Sequence, residues 1–123
     1  MASYRICTLF SGSKGNCTYI ETPAAKILID MGKNCKAVTA ALAEIGVSPD
    51  ALDAVFITHE HRDHVDALSV FCKHHPLPIH VQRASSLRLL ESAPHLAELL
   101  QVYPDAASCC VRIGDATVQA FRT

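Results

Sequence analysis

The segment Thr58-His-Glu-His-Arg-Asp-His64 gathers three histidines and two carboxylates within seven residues. In extended backbone, residues i and i+2 project to the same side, so His59 and His61 can converge on one metal ion while Glu60 points away. Asp63 and His64 come next, at the turn into a helical pattern, and can reach a second ion nearby. Imidazole nitrogen with carboxylate oxygen suits zinc, manganese or iron rather than calcium. The plainer reading is a solvated polar loop in which Asp63 merely caps a helix. Because H-x-H-x-D-H stands directly behind a continuous apolar run, the metal reading is the stronger of the two. Cys72, His74, His75 and His80 form a looser set around Pro76 and Pro78, and their spacing argues for a helix C-terminus and core positions rather than a second metal site. His95, after Pro94, is expected on a helix surface.

The elements that must position these groups follow from periodicity. Tyr4 to Phe10 alternates as a strand, with Tyr4, Ile6 and Thr8 on one face and Arg5, Cys7 and Leu9 on the other. Ser11-Gly-Ser-Lys-Gly-Asn16 breaks it, Cys17 to Thr22 resumes strand character, and Lys26 to Asp30 makes a third strand. From about Cys35 the spacing changes to Val38, Ala41, Leu42 and Ile45, an amphipathic helix with Asn34 as N-cap and Gly46 as its stop. Ser48-Pro-Asp50 caps a short turn, and Ala54 to Ile57 is a strand buried on both faces. Val65 to His74 is expected to be helical, Ile79 to Gln82 a strand, and Ser85 to Leu100 helical with an interruption at Pro94. Cys110 to Ile113 and Thr117 to Phe121, joined through Gly114-Asp115, read as a hairpin. The order β-β-β-α-β-α-β-α-β-β implies an α/β (α+β) domain, a mixed sheet with helices on one face. One layer of three helices leaves the second face without cover.

At 123 residues and 50% hydrophobic composition the chain fits a single domain, residues 1–123, with enough apolar side chains for a core. A net charge of -1 provides no broad basic field to hold a polyanion by counterion release alone. The N-terminus leads into strand-like sequence rather than an apolar signal core, and no run approaches the ~20 apolar residues of a membrane span. A soluble, cytoplasmic protein with no membrane partner is expected, its six cysteines free thiols. Oligomeric state is not encoded in these patterns.

Three segments together resemble the metallo-β-lactamase superfamily. Thr58-His-Glu-His-Arg-Asp-His64 looks like its signature loop, Leu28-Ile-Asp30-Met-Gly32 resembles its strand-end L-I-D-x-G, and Ser11-Gly-Ser-Lys-Gly-Asn16 resembles the S-G-S-x-G-N turn of the WalJ-type (YycJ-type) branch. The resemblance implies an αβ/βα sandwich, of which this chain would be the N-terminal half. It implies His59 and His61 as ligands of a first metal, Asp63 and His64 as ligands of a second and the candidate catalytic residues, and Asp30 as a carboxylate that orients the ligand loop. Ser11, Ser13 and Asn16 would meet substrate phosphate through backbone N–H groups and short side chains. An ordinary turn that needs Gly12 and Gly15 for positive φ explains the same residues equally well.

That branch is associated with metal-dependent phosphodiester cleavage, including DNA exonuclease activity. Two divalent ions, zinc above all with manganese or iron as alternatives, would sit about 3.5 to 4 Å apart, activate a water as hydroxide and stabilise the attacking and leaving oxygens. Glu60, at the wrong parity, is not the expected base. The same loop would serve a thioester, lactam or small cyclic phosphodiester hydrolase, and a non-catalytic metal-binding fragment becomes credible if the ligand set is incomplete. The loop offers two ligands per ion where catalytic zinc ordinarily keeps three. In the resembled family a His, a bridging Asp and a final His come later, so the chain is expected to be truncated at its C-terminus and inactive alone, with apolar surface left exposed.

Overall fold

The computed structural model describes residues 4–12, 16–32, 34–58, 62–104 and 110–119, and for residues 62–66 the backbone only. Strands β1 (Arg5–Phe10), β2 (Cys17–Thr22) and β3 (Ala25–Ile29) form an antiparallel meander. Strands β4 (Ala54–Phe56), β5 (Ile79–Gln82) and β6 (Leu100–Tyr103) then add in parallel, giving a six-stranded mixed sheet in the order β1-β2-β3-β4-β5-β6. Parallel neighbours cannot be joined by a tight hairpin, so helices fill the crossovers. These are α1 (Cys35–Glu44), α2 (Arg62–His74) and α3 (Arg83–Ser92), the last followed by a 3-10 segment, Pro94–Leu99.

Helix α1 shows how locally this is encoded. Asn34 caps it by accepting the Ala37 N–H at 2.8 Å, and Val38 and Leu42, one turn apart, are both fully buried. Gly46, at φ 76°, closes the helix while Val47 N–H returns to Leu42 O at 2.9 Å. Val38 and Leu42 join Leu68 and Phe71 of α2, Leu89 of α3 and Leu96 over Tyr19, Leu28, Val55 and Ile79 of the sheet. All three helices therefore share one face.

The opposite face carries Ile27, Ala54 and Phe56 with Ile20, Ile29 and Tyr103 beside them. A second sheet of two strands, β7 (Cys110–Ile113) and β8 (Ala116–Gln119), lays Val111, Ile113 and Val118 on this layer. The hairpin tip is seated on the β2–β3 turn: Asp115 accepts a hydrogen bond from the Thr22 hydroxyl, and Gly114 lies so close that a Cβ there would stand 2.2 Å from Ala24 O. Cover does not reach the sheet edge. Ile6, paired with Ile20 across β1 and β2, is 76% exposed.

Two boundaries differ from the sequence expectation. Leu100 to Tyr103 pairs with β5 as the sixth strand, where the apolar period had placed only a helix end followed by a loop. Helix α2 begins at Arg62 rather than Val65, which puts Asp63 inside the first turn and not at the cap. The remaining strands and helices fall within a few residues of the expected ones, although Phe121 lies outside the described residues.

Candidate metal centre

Asp30 and Thr58 sit where β3 and β4 end side by side. Beyond Ile29, the Asp30 N–H still donates to Phe56 O at 2.7 Å, extending the parallel pairing by one bond. Asp30 itself turns into the left-handed region at φ 62°, a conformation open to Asp and Asn more than to most side chains. Its carboxylate is buried, and it accepts two hydrogen bonds from one residue: Thr58 N–H at 2.8 Å and Thr58 Oγ1–H at 2.5 Å. Bonds to an ionised acceptor are the stronger kind, and this bidentate grip fixes both the position and the direction of the chain as it leaves β4. The next residue is His59.

His59 and His61 lie outside the described residues, as do Glu60 and Ser13. Asp63 and His64 occupy the second and third positions of α2. An acidic residue in a first helical turn is favoured by the helix dipole, so a metal-binding carboxylate there needs no compensating local structure. The far end of α2 is held in the core by Leu68, Phe71 and Cys72, all on one helical face. Thr58 and the body of α2, the described parts on either side of residues 59–61, are thus each held, one by Asp30 and the other by apolar burial. Two imidazoles, a carboxylate and a third imidazole across such a span match the N/O donor chemistry of a dinuclear zinc-type site, and the residues present fit that group. Among the described residues alone no cluster of three or more His, Cys, Asp or Glu forms a separate metal site.

The Ser11–Asn16 turn adjoins this edge. Gly32 N–H donates to Asn16 O at 2.8 Å, and Asn16 Oδ1 accepts Gly12 N–H at 3.2 Å, with Gly12 at φ 116°. Ser11 is exposed and Asn16 half-buried. Cys17, directly after Asn16, is buried in the core, and desolvation, helped by the nearby Asp30 charge, pushes its thiol up to about 12. It is a packing residue and not a nucleophile.

The looser set does not converge. His75 pairs through Nδ1 with Asp50 at 2.7 Å, Cys72 lies in the helix-side core, and His80 stacks on Phe56 within the opposite layer. His95 is exposed, with Nε2 3.1 Å from Ser69 O. Sequence reasoning assigned no part to Thr58. Its only signal was a hydroxyl residue at the root of the motif, and nothing in linear spacing shows that Asp30 reaches it.

Residues 11–117 match the family model described as the Metallo-beta-lactamase superfamily. The chain is 34% identical over 96 residues to "Exodeoxyribonuclease WalJ" of Streptococcus pneumoniae serotype 2 (strain D39 / NCTC 7466), covering 78% of this chain and 35% of that protein. It is 35% identical over 72 residues to "Exodeoxyribonuclease YycJ" of Bacillus anthracis, covering 58% of this chain and 27% of that protein. The crystal structure of metallo-beta-lactamase SMB-1 bound to 2-mercaptoethanesulfonate superposes with a TM-score of 0.72 at 19% identity, over 93% of this chain and 49% of that one. This last likeness concerns the fold. The chain thus spans about a quarter to a third of the length of these curated relatives and about half of that structure.

Proposed function

The chain belongs to the metallo-β-lactamase superfamily, and from that premise we propose that the protein hydrolyses phosphodiester bonds in DNA with two divalent metal ions, zinc first among them. The observation that carries this reading is the 34% identity to an exodeoxyribonuclease along 78% of the chain. The fold alone would serve lactam or thioester substrates equally well.

In this reading His59 and His61 hold one ion, and Asp63 and His64 hold the other. When bound, the ions supply an acidified water and positive charge opposite the leaving oxygen. The chain's own contribution is placement: Asp30 grips Thr58, the residue before the two alternate histidines, and α2, held by its buried face, starts just beyond them with Asp63 and His64 in its first turn. The loop offers each ion two protein ligands, one fewer than catalytic zinc ordinarily keeps, so we propose that turnover also needs donors from outside this loop and that the isolated 123 residues are inactive. No described helix is long and apolar enough to cross a membrane, and the described cysteines are free thiols; a cytoplasmic site of action accords with both.

The test uses the full-length protein loaded with zinc or manganese, end-labelled linear DNA and a bis-aryl phosphodiester. Turnover of both is expected, abolished by chelation and restored by metal. His59→Ala and Asp63→Ala should each abolish it while leaving the circular dichroism spectrum intact, because neither replaces an identified core residue. Turnover of a lactam or thioester with none of either phosphodiester would overturn the proposal.

A further inference from the structure

Asn16 is held by its amide oxygen, which leaves its amide nitrogen as a donor. A backbone N–H can only donate, so the Asn16 atom that meets Gly12 N at 3.2 Å must be the amide oxygen. The amide nitrogen, with two hydrogens, is then the free end of the side chain. Among the described residues nothing accepts a hydrogen bond from it. Asn16 O meanwhile takes the Gly32 N–H, two residues beyond Asp30, whose carboxylate holds Thr58 at the root of the ligand loop. A half-buried donor pair of fixed orientation is thus built into the strand-end edge that carries the candidate metal centre.

We propose that the Asn16 amide nitrogen is a specificity-determining hydrogen-bond donor to a non-bridging oxygen of the phosphodiester, with Gly12 as the anchor that turns the amide outward. This rests on the phosphodiesterase reading above. A donor-only group suits an oxygen that carries charge and no hydrogen. The plain alternative is that Asn16 serves only to close the turn.

Asn16→Asp separates the two. It keeps an acceptor for Gly12 N–H, so a purely structural role would be rescued, but it replaces the outward donor by a carboxylate oxygen that repels a phosphate. In the full-length, metal-loaded protein Asn16→Asp should raise KM for the bis-aryl phosphodiester about tenfold or more and leave kcat within about twofold, with the penalty larger at low salt. Asn16→Ala should raise KM and also lower the thermal midpoint. If the wild type turns over and Asn16→Asp matches it in KM, this inference fails and the phosphodiesterase reading stands; if the wild type hydrolyses no phosphodiester, that reading fails and this one with it. Side-chain amide NMR of the wild type gives an answer independent of any variant's folding. The Asn16 NH₂ resonances should shift saturably when metal-free protein is titrated with bis(4-nitrophenyl) phosphate, and an amide that does not move while the ligand saturates would overturn the proposal.

Discussion

Asp30 does two jobs that substitution can separate. Its backbone sits at φ 62° and its carboxylate binds Thr58 twice. Glycine takes that φ freely, so Asp30→Gly preserves the turn and the bond to Phe56 O while deleting the carboxylate. Thr58 is exposed, so water can satisfy its freed N–H and hydroxyl, and the thermal midpoint should move little. Metal affinity should fall by about 10- to 100-fold, the usual loss when a group that orients metal ligands is removed, as read by zinc competition with a chromophoric chelator in the full-length protein. Asp30→Ala should lose affinity equally and in addition cost about 1–2 kcal/mol of stability, because alanine resists the left-handed backbone. Equal stability of the two variants would show that the φ at this position carries no strain. Wild-type metal affinity in Asp30→Gly would show that Thr58 needs no anchor.

At the scale of elements, the hairpin of β7 and β8 depends on one close approach. Gly114→Ala would put a methyl group 2.2 Å from the Ala24 carbonyl oxygen and hold an alanine at φ 58°. Both the clash and the backbone strain oppose docking, so the variant should unfold at least about 2 kcal/mol more readily in urea, with amide exchange of β7 and β8 accelerated beyond that of β2 and β3. Uniform exchange across both sheets would show that docking of the hairpin does not depend on this tip. Most elements were legible because their signals are local. Asn34 and Gly46 bracket α1, and the unbroken run of Ala54 to Ile57 marks a strand buried from both sides. The exceptions have physical reasons. Leu100 to Tyr103 is a four-residue edge strand whose identity comes from pairing with β5, 21 positions earlier in register, and not from its own period. Helix α2 starts amid Arg62-Asp63-His64, where three polar residues in a row suppress the apolar period that would announce it. The site divides in the same way: the donor types stand in the sequence itself, whereas the Asp30 to Thr58 contact spans 28 residues and is tertiary. Only the family resemblance had assigned Asp30 a role.

For the molecule as a whole, the two faces of the sheet differ in what acid does to them. Among the described residues the helix side holds no buried imidazole, but the layer under the hairpin contains His80, 6% exposed, stacked on Phe56 at 4.5 Å and joined through Nδ1 to Tyr103 Oη at 2.9 Å. Burial lowers its pKa below the ordinary 6.5, because the charged imidazolium loses more hydration than this layer returns. The unfolded chain therefore binds a proton at His80 at a higher pH than the folded chain does. Stability is complete above about pH 6.5, falls as pH drops below it, and levels off once the folded-state pKa has also been passed. Between those two values the slope contributed by this one group stays below the one-proton limit of about 1.4 kcal/mol per pH unit. His80→Gln keeps a neutral polar group against Tyr103 and removes the titration. Urea unfolding of metal-free protein from pH 8 to pH 5 should show the wild type losing stability faster than His80→Gln, so that the gap between them changes in favour of the variant as pH falls. Parallel curves would mean that His80 is protonated as easily in the fold as in the open chain, and the acid sensitivity would have to come from elsewhere in the molecule.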